Sequence, residues 1–349
     1  MHITALVDAV DHVCCRYRIQ AYRPYFERAG HQLALCPWPR SYWSRLRLER
    51  LIGETDAVIV QRRLLTSWQL YQLHRASRLL IFDFDDAVYQ RDSYARKGPI
   101  NSRRHARFAA TVKTADAVVA GNDFLAAEAR RWTGAERIHV IPSLVDPDRY
   151  LVAEHERSGK GVQLAWIGCS STLKGLELSR NLFETIGEQC PGLSMKIICD
   201  RFPQLRRLSI IECPWTEEDE ARELATSDIG VSWLPDDGWS RGKCGLKVLQ
   251  YMAAGLPVVA NPVGVQADMV KHGQTGLHAS TADEWCSAIR TLMNDPVLRR
   301  RMGEAGRRRV EREYSVELGA ARWLQLLDSL FTFRARKLES KTVACERET

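Results

Sequence analysis

The sequence predicts an α/β protein of two Rossmann-like, doubly wound parallel-sheet domains facing a cleft. Three observations lead there. Short, near-continuous Val/Ile/Leu runs alternate with helix-length stretches, the pattern of parallel strands covered on both faces. The alternation pauses once, over residues 143–161, where Pro, Asp, Ser and Gly collect without a period, and then resumes. The chain has 349 residues, too many for one ordinary domain and right for two.

In the first half the strand-like runs fall at 2–7, 31–36, 56–60, 79–84, 116–120 and 137–141, with helical stretches at 19–29, 42–52, 67–76, 102–114 and 123–132. In the second half strands are expected at 162–167, 195–199, 208–213, 229–233 and 257–260, with helices at 176–188, 217–227, 245–254 and 282–293. Thr216, followed by three acidic residues, reads as a capped helix start. Beyond Asn294 the pattern is helical only: a basic stretch over 296–312, then an amphipathic one over 316–333 carrying Trp323.

At 45% hydrophobic and 27% charged, the chain is neither disordered nor collagen-like. No apolar run approaches the length of a spanning helix. The opening 15 residues lack a basic start, and Asp8 and Asp11 interrupt them, so they read as a core strand and not a signal peptide. Ten cysteines form no CxxC and no Cys/His set with zinc spacing, which points to a reducing cytoplasm and no structural metal. The net charge of +7 suits anionic small molecules or an anionic membrane surface. The basic residues are dispersed without a nucleic-acid signature, so nucleic acid is not an expected partner.

Ligands of doubly wound sheets bind beyond the carboxyl ends of the strands. After the strand at 162–167 comes Gly168-Cys-Ser-Ser-Thr-Leu-Lys174-Gly175, with Ser170 and Ser171 beside a lysine in a loop that opens a helix. Such a turn is either an anion site or an ordinary capped connection. It is not a Walker loop. After the strand at 229–233 come Asp236, Asp237, Arg241, Gly242, Lys243, Lys247 and Gln250, in a loop and a helix that starts near Gly242. That register puts Lys243 in the first helical turn, where a cation is unfavourable without a bound anion. Only ten of the 50 basic residues are lysine, yet Lys174, Lys243 and Lys247 fall at these two loops. The bland alternative is a solvated charged face.

These residues, with Lys271-His-Gly-Gln-Thr-Gly-Leu277, the helical ending at Tyr314 and the hinge-like Val140-Ile-Pro-Ser-Leu-Val-Asp146, give the resemblance a basis. The chain resembles the retaining nucleotide-sugar glycosyltransferases of the GT-B fold, glycosyltransferase family 4. The resemblance implies an N-terminal acceptor domain over 1–145, a linker over 146–161 and a nucleotide-sugar donor domain over 162–314. It also implies a helix over 315–335 crossing back to the first domain, anchored by Trp323, with a flexible tail over 336–349. Lys174 matches the family lysine on the donor diphosphate, and Gly168 the glycine before it. Cys169 stands where the family often has an arginine. The family's Glu-x7-Glu pair aligns with Gly242 and Gln250, so the first carboxylate is absent and an amide takes the ribose position. Lys243 then substitutes for the missing phosphate cation, with Lys247 behind it, and Asp236 or Asp237 is a candidate sugar contact.

In the first domain, the strand at 79–84 runs into Asp85-Asp86, at the place of a family His-Asp that reaches toward the donor sugar. A carboxylate there would orient a hydroxyl or stabilise oxocarbenium charge; the alternative is an Asp cap and turn. Arg16 and Arg18 are candidate contacts to an anionic acceptor or surface charges at a helix start. The aromatic and basic stretch over 37–50 suits a membrane interface or a packed amphipathic helix.

The expectation is a cytoplasmic enzyme, associated with the inner membrane face, moving a sugar from a nucleotide diphosphate sugar to a hydroxyl acceptor. It would act with retention and without metal or other cofactor, in cell-surface glycan or glycolipid synthesis. Lys174 and Lys243 carry the diphosphate, Gln250 the ribose, and Asp85 or Asp86 the acceptor side. Three alternatives stand beside it. One is a degenerate nucleotide- or sugar-binding protein. Another is a phosphohydrolase using Asp83 and Asp85. The third is a manganese DxD site at Asp83, Asp85 and Asp86.

Overall fold

A computed structural model of the chain describes residues 1–38, 52–53, 55–155 and 161–346, with side chains described to residue 334. From residue 39 on, the stretch read for a membrane interface lies outside the described residues. The chain divides into two units. Unit 1 holds Met1–Phe84, Arg103–Pro142 and Val316–Thr349; unit 2 holds Asp85–Ser102 and Ser143–Ser315.

Unit 1 runs β1 (His2–Val7), α1 (Val13–Arg18), α2 (Arg23–Arg28), β2 (Gln32–Pro37), β3 (Ala57–Gln61), α3 (Ser67–Ala76), β4 (Leu79–Phe84), α4 (Ser102–Thr114), β5 (Ala117–Ala120), α5 (Asp123–Arg130) and β6 (Ile138–Val140). All pairings are parallel, in the order β2-β1-β3-β4-β5-β6. Strands β3 and β4 are buried at every position, which is why they read as near-continuous apolar runs, broken only by Gln61 and Asp83. Thr66 and Gln69 close a capping box on α3, and the Asn122 side chain caps α5.

A buried ion pair ties this unit together. The Arg18 guanidinium donates from Nε to Asp83 Oδ2 at 3.0 Å, and from Nη1 to the Ile141 carbonyl at 3.0 Å. Arg18 is 1% exposed and Asp83 0%. Arg18, a candidate acceptor contact, thus lies buried at the end of α1, bonded to β4 and to the residue that follows β6. The phosphohydrolase and DxD readings lose Asp83 for the same reason. Arg16 is also buried, its guanidinium over the Tyr17 ring at 5.2 Å.

Unit 2 runs β7 (Gln163–Ile167), α6 (Ser170–Leu178), α7 (Arg180–Gln189), β8 (Ser194–Cys199), β9 (Ser209–Pro214), α8 (Glu220–Ala225), β10 (Ile229–Ser232), α9 (Gly238–Arg241), α10 (Leu246–Ala253), β11 (Val258–Ala260), α11 (Gln266–Met269), β12 (Gly276–His278), α12 (Ala282–Asn294) and α13 (Pro296–Glu313). Its order is β12-β11-β10-β7-β8-β9, again parallel. This is the Rossmann order, and the direction of winding reverses between β7 and β10. Trp166, Phe183, Met195, Ile229, Trp285 and Ile289 are among the side chains of the core.

Several sequence expectations shift. β12 was not anticipated; three residues are too short to leave an apolar run. The helix read over 176–188 starts at Ser170 and pauses at Ser179. Thr216 caps a turn, and the helix behind it opens at Glu220. The pause over 143–161, as far as it is described, holds one 3-10 turn at Pro147–Arg149 and otherwise coil fastened by hydrogen bonds. The Ala153 amide donates to the Ala254 carbonyl at 3.0 Å, and Arg299 donates to the His155 carbonyl at 2.8 Å. Residues 85–102, read with the first domain, belong to unit 2. The last helix, α14 (Val316–Glu346), continues past the expected residue 335 and belongs to unit 1, where Trp323 is 1% exposed and 6.4 Å from the Tyr22 ring.

Replacing Arg18 by Met should remove the buried guanidinium bonded to Asp83 and destabilise unit 1 by about 3–5 kcal/mol, seen as a lowered urea midpoint. Adding Asp83→Leu should recover much of that loss. An unchanged midpoint in the single variant would show that the pair does not hold the unit.

Candidate functional site

The site lies in unit 2, beyond the carboxyl ends of β7 and β10. These strands pair only at Leu164–Ile229 and Ala165–Gly230, then part. The Tyr251 hydroxyl from α10 fills the gap: it accepts from the Ile167 amide at 3.1 Å and donates to the Val231 carbonyl at 3.2 Å. Its ring lies flat on Gly230, where any Cβ would strike it. Burial pushes the phenol pKa far up, so the hydroxyl stays neutral.

The first predicted loop leads directly into α6. The Cys169 amide donates to Thr172 Oγ1 at 3.2 Å, and the Ser170 amide donates to Asp200 Oδ1 at 2.6 Å. The carboxylate of Asp200, at the end of β8, therefore already sits on the helix N-terminus, and the hydrogen bonds from Ser170 hold its pKa below the usual range. Ser171 Oγ lies 3.0 Å from Cys169 Sγ. Lys174 is exposed on α6. Cys169 is the exposed thiol of this end. Burial raises its pKa, but hydrogen bonds from Ser171 and Thr172 and the charge of Lys247 outweigh that and bring it below the ordinary thiol value.

The second loop departs from the expected register. A short helix intervenes, α9, capped by Asp237 Oδ1, which accepts from the Ser240 amide at 2.8 Å. The next helix opens at Leu246, its N-cap Gly245 at φ +66, a left-handed conformation costly for any other residue. Lys243 thus precedes the helix and is not in its first turn; Lys247 is. The ammonium of Lys247 turns back to the Ile167 carbonyl, stands over the Trp166 ring at 4.4 Å and lies 3.5 Å from Thr172 Oγ1. Burial lowers its pKa to about 8. Lys247 therefore links the two loops.

Lys243 pairs with Asp86 Oδ1 at 2.9 Å and stands over the Trp239 ring at 4.9 Å. The Cys244 thiol donates to the Asp85 carbonyl at 3.1 Å. Ser93 Oγ donates to Asp237 at 3.0 Å, and Asp236 is bound by Arg241 Nε at 2.8 Å. Gly242 is buried. Gln250, the candidate ribose contact, is buried, donating from Nε2 to Glu220 Oε1 at 2.9 Å. Tyr150 and Trp215 donate to the same carboxylate at 3.1 and 2.8 Å.

The structure therefore brings Asp86, Asp237, Gly242, Lys243 and Lys247 together with Gly168 and its loop. It places Arg16 and Arg18 in unit 1 and engages Ser170 with Asp200. Sequence reasoning missed Asp200, Glu220 and Tyr251. The first two act through partners about thirty positions away. The third was legible only as a tyrosine amid apolar helix residues. Among the described residues, no group of three or more His, Cys, Asp and Glu side chains is arranged to hold a metal ion.

Parallel sheets of these orders, with cation-bearing loops at the reversal of the second, define a protein of the GT-B fold. Residues 239–309, which include the Lys243–Gln250 stretch, match the family described as glycosyl transferases group 1. Over 116 residues the chain is 36% identical to a GDP-mannose-dependent monoacylated alpha-(1-6)-phosphatidylinositol monomannoside mannosyltransferase of Corynebacterium glutamicum, covering 32% of this chain and 30% of that one. Over 63 residues it is 41% identical to a D-inositol 3-phosphate glycosyltransferase of Corynebacterium aurimucosum, covering 18% and 15%. The matched stretches thus span less than a third of either relative's length. Sucrose-phosphate synthase from Thermosynechococcus elongatus superposes with a TM-score of 0.72 at 18% identity, over 95% of this chain and 99% of that one. HepE of Anabaena, in complex with UDP and glucose, gives 0.69 at 15%, over 94% and 100%.

Iodoacetamide should alkylate Cys169 ahead of the buried Cys15, Cys190, Cys199, Cys244 and Cys286, as read by peptide mapping. The rate should rise through a midpoint below the ordinary thiol value of about 8.5. Lys247→Met removes a nearby cation and should move that midpoint up. Equal labelling of all thiols would contradict the geometry of this helix end.

Proposed function

We propose that the protein transfers a sugar from a nucleotide diphosphate sugar to a hydroxyl acceptor, with retention. The observation that carries the reading is the pairing of lysine-bearing loops at the β7/β10 reversal, inside a stretch that matches glycosyl transferases group 1. Oriented cations at that point suit a departing nucleoside diphosphate, whose developing charge they stabilise without a metal. In this reading Lys243 and Lys174 carry the diphosphate, and Gln250, its amide oriented by Glu220, presents its carbonyl to the ribose. The anomeric bond to the terminal phosphate breaks as the acceptor oxygen bonds the same face, and the acceptor proton passes to the leaving diphosphate. Asp86 and Asp237 lie on the sugar side of Lys243.

The acceptor is a glycan, a glycolipid or a small hydroxyl compound, and the place of work is the cytoplasm, at the inner membrane face. The lipid-linked acceptor in the C. glutamicum relative's name supports that placement. The HepE complexes with UDP and with UDP-glucose support a UDP-linked donor, while the GDP-mannose dependence of the C. glutamicum relative supports a GDP-linked one. The base is therefore left to experiment.

Thermal unfolding in EDTA with UDP, GDP, ADP and dTDP tests the binding step. One diphosphate at about 100 times its Kd should add about 2.7 kcal/mol, visible as a raised midpoint. Lys243→Ala should abolish the shift and Lys174→Ala should weaken it. A shift with no turnover of the matching sugar donor would favour a degenerate binding protein. Silence across the panel would overturn the proposal.

A further inference from the structure

We propose that Asp86 is a built-in competitor for the terminal phosphate at Lys243. It weakens the hold on the free nucleoside diphosphate more than on the intact nucleotide sugar, and so hastens product departure. The inference rests on the diphosphate reading of Lys243.

Three observations carry it. The Lys243–Asp86 pair is short, 2.9 Å, and lopsided: the lysine side chain is 28% exposed and the aspartate 10%. The lysine therefore keeps some solvent-facing surface while the carboxylate is almost wholly covered. Asp86 also belongs to the same unit as Lys243, although it follows β4 in the chain. Finally, its segment is pinned on both sides. The Cys244 thiol holds the Asp85 carbonyl at 3.1 Å, Ser93 donates to Asp237 and lies 3.3 Å from Ser240 Oγ, and the Tyr94 hydroxyl lies against Gly175 of α6. The backbone that carries Asp86 is thereby held beside Lys243, which keeps the carboxylate near the cation when a phosphate arrives.

The chemistry of the two ligands then decides the outcome. In the nucleotide sugar, the terminal phosphate is a diester-like link with one ionised oxygen. After transfer it is a terminal phosphate whose further ionisation lies near pH 6. The product therefore carries close to one more negative charge, on the group nearest Asp86. Like charges held a few ångströms apart on the edge of a protein repel appreciably. Lys243 is thus shared with the substrate and contested with the product.

The test compares two ligands by calorimetry. One is the nucleoside diphosphate identified by thermal shift; the other is the matching nucleotide sugar with a carbon in place of the anomeric oxygen, which cannot be turned over. Asp86→Asn keeps the shape and a hydrogen bond to Lys243 but removes the charge. It should tighten the diphosphate about tenfold and the intact donor analogue no more than about threefold. In turnover, product inhibition should strengthen and kcat should fall while KM for the donor does not rise. Asp86→Ser should act in the same direction, which separates the effect from a folding defect of one variant. Equal tightening of both ligands, or weaker diphosphate binding in both folded variants, would overturn the inference. If Lys243→Ala binds the diphosphate as well as the wild type, the diphosphate reading itself fails, and this inference with it. If Lys243→Ala loses binding while Asp86→Asn changes nothing, only the inference fails.

Discussion

The site depends on one hydroxyl. Where β7 and β10 part, the Ile167 amide and the Val231 carbonyl lose their ladder partners, and Tyr251 supplies both hydrogen bonds. Buried backbone groups left unmet cost about 1–3 kcal/mol each, so the reversal of winding could not be dry without such a wedge. The wedge fixes α10 against the sheet. Gly230 makes room for its ring, and Gly245 starts the helix nearly two turns before it. Lys247, in the first turn of that helix, then reaches the Ile167 carbonyl and draws the first loop to the second.

The three lysines singled out by their rarity turn out to have three different roles. Lys247 is part of the frame, its charge partly suppressed by burial. Lys243 is the half-open cation with a resident carboxylate. Lys174 stands exposed on α6. A sequence records only that each is a lysine near a strand end. The difference comes from a single offset: α9, capped by Asp237, shifts the next helix start from Gly242 to Leu246 and moves Lys243 off the helix. The cap was present in the sequence as Asp237 three residues before Ser240, but the stronger pattern of Gly242 and the apolar run beyond it obscured it.

What was legible elsewhere follows the same logic. Strands β7, β8 and β10 announce themselves because nearly every position is buried and most are apolar. The Rossmann-like doubly wound architecture, the two loops and the resemblance carried by Lys174, Lys243 and Lys271–Leu277 were within reach. The assignment of residues 85–102 to unit 2 was not, since it rests on isolated contacts with partners far along the chain and leaves no period. Glu220 and Asp200 were hidden for a related reason: an acid at a helix start or strand end reads as a cap until its partners are known. The burial of Arg18 was not legible, because a buried arginine and a surface arginine have the same letter and its partner Asp83 lies 65 positions along the chain on β4.

The central claim is that the charge arranged around Lys243 serves the departure of a nucleoside diphosphate from a sugar. Its most direct measurement is proton NMR of the protein with the nucleotide sugar whose base it binds, a simple alkyl-glycoside or polyol acceptor, and EDTA. The account predicts release of the nucleoside diphosphate and a glycoside whose anomeric coupling matches that of the donor. A product of inverted configuration, or no release from a donor that demonstrably binds, would contradict it.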